Sequence, residues 1–104
     1  MTDAERYKSD VKRLPCEICV RNFGVDPEPQ TDVVSDGHHP RTGAGAGRKN
    51  SDMDLIALCK EHHQGNTGLH GMGRKKFERV YRVTEAELTE STRRRVMELR
   101  ARRV

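Results

Sequence analysis

Three cysteines and five histidines carry the side-chain chemistry that stands out in this 104-residue sequence. Cys16-x-x-Cys19 is followed 40 residues later by Cys59-x-x-His62. Zinc takes four soft or borderline ligands in a tetrahedron, and two such pairs supply them. Two thiols three apart on a turn can converge on one ion. Cys59 and His62, three apart on a helical turn, share a face. Together they predict a structural zinc knot tying the N-terminal turn to the segment bearing the second His pair. The alternative is a set of unpaired buried cysteines.

His62 belongs to that knot, which leaves His38, His39, His63 and His70. Adjacent helical side chains diverge by about 100°. His62 can therefore face the knot while His63 faces elsewhere. His38 and His39, if extended, point to opposite sides. Such a pair can divide labour, with one nitrogen on a metal and the other on a water, and imidazole suits both tasks near neutral pH. For each histidine singly, the alternative is a surface or core residue.

The elements that must position these groups are short. Residues 1–14 are mostly polar, with Tyr7, Val11 and Leu14 as scattered apolar points. Residues 15–19 read as a tight turn presenting two thiols. Pro27 and Pro29 make residues 24–31 a loop. Residues 32–35 can begin a short strand that residues 37–40 end. The Gly-rich stretch 43–47 lacks the Gly-Lys-Ser/Thr ending of a phosphate-cradling loop. Leu55, Ile56 and Leu58 lead as a strand or turn into a short helix, which Gly65 and Gly68 limit. Residues 73–82 look helical, with Phe77, Val80 and Tyr81 on one side. Thr84 and Glu87 fit a capping box. The final helix is expected over 85–102, with Leu88, Thr92, Val96 and Leu99 as its apolar stripe.

Length and composition fit one small domain, here 1–104. Only 33% of residues are apolar, so a metal or partner is expected to help hold the fold. No apolar run reaches the roughly 18 residues of a membrane span, and the first residues lack a secretion-signal profile. The expectation is a cytoplasmic protein, whose cysteines are metal ligands rather than disulfides. Residues 1–71 hold nine Lys/Arg against eleven Asp/Glu, and residues 72–104 hold eleven against five. This basic C-terminal third suggests a polyanion contact. The alternative is a solvated, Arg-rich helix face.

The stretch from His38-His39 through Asp54-Leu55-Ile56-Ala57-Leu58-Cys59-Lys60-Glu61-His62-His63 resembles the HNH endonuclease motif. Cys16-x-x-Cys19 fits the zinc-stabilised branch of that superfamily. Residues 38–82 look most like the small phage and prophage type related to the RecA-dependent nuclease Ref. The resemblance implies an α+β fold. Residues 15–72 would form the zinc knot and a ββα-metal core, and residues 73–104 a basic helical extension. It also implies a general base at His39, with His38 and His63 as ligands of a catalytic divalent ion (Mg2+, Mn2+ or Zn2+). His70 or Asn66 would be the third ligand. Asp54 stands where the family usually has the Asn that orients the base, and Asn50 competes for that role. Pro40 would shorten the strand that presents His39.

The activity so implied is metal-dependent hydrolysis of DNA phosphodiester bonds. Arg41, Arg48, Lys49, Arg74, Lys75 and Lys76 flank the histidines in sequence and would contact phosphates. Few aromatics are present for base stacking, so weak sequence preference on duplex or branched DNA is expected. A recombination or phage-packaging protein is a further candidate partner, and no membrane is implicated. The competing reading is a zinc-bound DNA- or protein-binding module without catalysis. The two separate on whether the spare histidines converge in space.

Overall fold

The computed structural model describes residues 1–40 and 52–102. The elements run α1 (Asp3–Lys12), α2 (Glu17–Phe23), β1 (Asp36–His38), a 3-10 turn (Asp52–Asp54) and β2 (Ile56–Leu58). They continue as α3 (Lys60–Gln64), α4 (Leu69–Met72), α5 (Arg74–Tyr81) and α6 (Glu85–Arg102). The result is a small α+β structure. Arg41, Arg48, Lys49 and Asn50 lie outside the described residues. No described helix is long and apolar enough to cross a membrane.

β1 and β2 pair antiparallel, with Asp36 opposite Leu58, Gly37 opposite Ala57 and His38 opposite Ile56. β2 and the preceding Leu55 form an apolar run buried on both faces. Because side chains alternate along a strand, Ile56 and Leu58 enter one core with Cys16, Ile18, Leu69, Phe77, Val83 and Leu88. Leu55 and Ala57 enter a second with Tyr7, Val11, Leu14 and Val96. α6 closes both cores, giving Leu88 to one and Val96 to the other. Its bounds and its buried stripe of Leu88, Thr92, Val96 and Leu99 match expectation. Thr84 and Glu87 exchange the capping-box bonds at 3.1 Å.

Several local expectations need correction. The apolar points of residues 1–14 are not scattered in space: α1 begins with a capping box between Thr2 and Glu5, and buries Tyr7, Asp10 and Val11. The turn expected at 15–19 is instead the start of a helix, with Cys16 as the N-cap of α2. The strand ends at His38, within the expected 37–40, but begins at Asp36 and not within 32–35, because its pairing with β2 and not its own apolarity defines it. Val33 and Val34 are exposed. On α5, Phe77 is buried, but Val80 is 48% exposed and leaves the apolar face. The triple arginine on α6 is not one solvated face, since Arg95 reaches the buried Glu17.

Candidate metal centres

The first cluster forms where two helix starts meet. Cys16 caps α2 and Cys19 lies one turn in. Gly24 ends that helix in the left-handed region at φ 70°, which glycine adopts without strain. Cys59 follows β2 and caps α3, its sulfur accepting from the His62 N–H at 3.5 Å. His62 Nδ1 lies 3.5 Å from Cys16 Sγ, 3.5 Å from Cys19 Sγ and 3.3 Å from Cys59 Sγ. Cys19 and Cys59 sulfurs are 3.9 Å apart.

A zinc tetrahedron with Zn–S of about 2.3 Å and Zn–N of about 2.0 Å has edges of about 3.8 Å between sulfurs and about 3.5 Å between sulfur and nitrogen. The observed spacings fit those edges. All three cysteines are free of disulfides. The cluster of Cys16, Cys19, Cys59 and His62 can hold a metal ion such as zinc. Burial pushes the Cys16 thiol up. Burial, reinforced by Cys16 and Cys59, pushes that of Cys19 up to about 12. Gathered thiolates are thus unfavourable on their own, and a divalent cation reverses that balance. Phe23 stacks on the His62 ring at 5.7 Å and Tyr81 meets it edge-on at 5.6 Å, fixing the plane of the one nitrogen donor.

The second cluster uses the neighbouring residue on α3. His62 turns to the cysteines, while His63 meets His38 from β1 and His70 from α4. One nitrogen from each of these three histidines lies within 4.8 Å of those of the other two. Ring centroids are separated by 5.2 Å between His38 and His63, 5.4 Å between His38 and His70, and 4.8 Å between His63 and His70. The geometry therefore groups His70, and not His63 alone, with the first His of the strand. His70 sits on a short helix of its own. Asn66 is exposed on the turn before it.

α4 lies close enough to deliver His70 because Gly71 packs on backbone. A Cβ there would meet the Gly65 carbonyl oxygen at 2.1 Å. Two carboxylates back the histidines. Asp36 Oδ2 is 3.1 Å from His63 Nδ1, and Glu85 Oε2 is 2.9 Å from His38 Nε2. Carboxylates in this position orient imidazole ligands and strengthen them as donors.

A cavity of about 260 Å³ opens beside the rings, lined by His38, Leu69, His70, Gly73, Arg74 and Glu85. Arg74 Nη1 on its wall is 3.2 Å from Glu78 Oε1. No family model, curated protein or solved structure matches this chain.

The remaining candidate residues sit as follows. His39 directly follows β1 and is half-buried. Asp54 ends the 3-10 turn and takes an ion pair from Arg93 of α6. Lys75 and Lys76 are exposed on α5, next to Arg74. Sequence reasoning missed Asp36 and Glu85. Asp36 carried a local signal, standing two residues before His38 and so on the same strand face. Glu85 carried none, because it reads as one more first-turn acid of α6.

Proposed function

We propose that this chain is a metal-dependent endonuclease of the HNH type, hydrolysing DNA phosphodiester bonds with low sequence preference. The observation that carries the reading is the convergence of His38, His63 and His70, three residues from three elements with no shared core role. Incidental histidines would scatter. The order β1, β2, α3 and the motif resemblance of residues 38–63 support the same reading. Cys16, Cys19, Cys59 and His62 would hold a structural zinc ion, welding α2 to α3 so that His63 is held beside β1.

His38, His63 and His70 would hold a catalytic divalent ion. Such an ion supplies Lewis-acid stabilisation of charge on the phosphate and on the leaving 3′ oxygen. His39 takes a proton from the attacking water as general base. Its orientation falls to Asp54 or Asn50. Arg74, on the cavity wall, neutralises a phosphate oxygen and holds the strand, and the exposed Lys75 and Lys76 extend that contact along α5. Cleavage in this sense leaves 5′-phosphate and 3′-hydroxyl ends.

The test is incubation of the purified chain with supercoiled plasmid and Mg2+, Mn2+ or Zn2+ in turn. Conversion to nicked circles that a chelator stops is the expected result. Duplex binding without nicking under every ion would overturn the proposal in favour of a zinc-bound DNA-binding module.

A further inference from the structure

Glu85 opens α6, 47 residues from His38 and outside the β1–β2–α3 unit. Its side chain is 2% exposed and that of His38 is 5% exposed, with 2.9 Å between Oε2 and Nε2. A carboxylate so buried is costly without a donor. The contact takes up His38 Nε2 and leaves Nδ1 as the ring nitrogen open to an ion; with Glu85 accepting, Nε2 carries the proton. A neutral imidazole protonated there has its lone pair on Nδ1.

We propose that Glu85 is a positioning residue for the histidine cluster: it holds His38 in the Nε2–H tautomer and so makes Nδ1 the ligand nitrogen. This rests on the reading of His38, His63 and His70 as a cation site. Asp36 stands in the corresponding relation to His63, but its side chain is 39% exposed, so water can replace it. Water has little access to the Glu85 contact. The consequence is that α6, through one residue in its first turn, sets the donor strength of a ligand on β1.

The experiment uses the full chain and two substitutions. Glu85→Gln keeps an oxygen acceptor for Nε2–H, and Glu85→Ala removes it. Co2+ is the probe, because a thiolate-to-cobalt absorption band reports the cysteine cluster and its absence marks cobalt on nitrogen ligands. Glu85→Ala should weaken cobalt binding at the histidines about 10–100-fold and leave the thiolate band unchanged. Glu85→Gln should retain most of the affinity.

Imidazole 15N spectra of the wild type with zinc at the cysteines and no ion at the histidines should show His38 as the Nε2–H tautomer, a readout that a merely structural role for Glu85 would not fix. If Glu85→Ala does not fold, those spectra and the Gln variant decide. A Nδ1–H tautomer at His38, or unchanged cobalt affinity in a folded Glu85→Ala, would overturn the inference while leaving the proposed function standing. Absence of cobalt from the histidines of the wild type would overturn both.

Discussion

Arg95 Nη1 on α6 donates to Glu17 Oε2 on α2 across 2.6 Å, and Glu17 is 1% exposed on its side chain. Ser91 and Thr92 donate to the two oxygens of the same carboxylate at 2.8 and 3.0 Å. One buried acid between Cys16 and Cys19 is thus held by three side chains of the last helix. Removing the arginine leaves a buried charge partly uncompensated. Arg95→Ala should cost roughly 3 kcal/mol of stability, measured by chemical denaturation. Arg94→Ala, which changes an exposed residue on the same helix, should lie within about 0.5 kcal/mol of wild type. Equal effects of the two would show that the pair contributes no specific stability.

The cysteine cluster should be stoichiometric in zinc. Cys16→Ser and Cys59→Ser each remove a ligand between segments that meet at the ion, so both should release the metal and unfold the domain together. Metal analysis paired with circular dichroism checks this. Freshly purified protein that is folded yet free of zinc would sink the assignment.

Gly71 offers a test of how α4 delivers His70. The Cβ of Gly71→Ala would stand 2.1 Å from the Gly65 oxygen and 2.9 Å from its carbonyl carbon, both backbone atoms. The helix must move, at a cost of roughly 1–3 kcal/mol. Divalent-ion binding at the histidines should weaken, while zinc at the cysteines is kept. A variant with wild-type stability and unchanged ion affinity would show that the close approach is unnecessary.

DNA phosphates are expected to lie along α5. Neutralising Arg74, Lys75 and Lys76 together should flatten the slope of log K against log salt by about 0.9 for each phosphate left without its cation, or roughly 2.7 if all three side chains engage duplex DNA. Arg94 alone is the fitting control on α6, since Arg93 pairs with Asp54 and Arg95 with Glu17. If Arg94→Ala flattens the slope and the α5 change does not, the long helix carries the DNA.

The parts of this structure that were legible in the sequence are those whose signal is local. The Cys-x-x-Cys and Cys-x-x-His spacings named the four clustered donors before any fold was known. The apolar stripe and the Thr84–Glu87 cap set the limits of α6. The start of α1 was also written locally, in Thr2 and Glu5, but the polar residues around Tyr7 and Val11 masked its period. β1 was displaced because Asp36-Gly37-His38 has no apolar residue; its pairing with β2 defines it. Glu85 and His38 meet only through tertiary packing, which a pattern along the chain does not express. The convergence of His63 and His70 likewise depends on the close backbone approach at Gly71.

Plasmid nicking by His63→Ala beside wild type decides whether the histidine cluster is a catalytic metal centre distinct from the cysteine cluster. Zinc content is measured on the same samples. Its neighbour His62 belongs to the other cluster, so the variant should keep its structural zinc and its fold. Wild type should nick supercoiled plasmid in a divalent-ion-dependent manner. His63→Ala removes a ligand of the ion and should lower that activity by at least about 100-fold, while retaining its zinc at the cysteines. Nicking that survives His63→Ala within a few-fold would contradict a catalytic role for the histidine cluster.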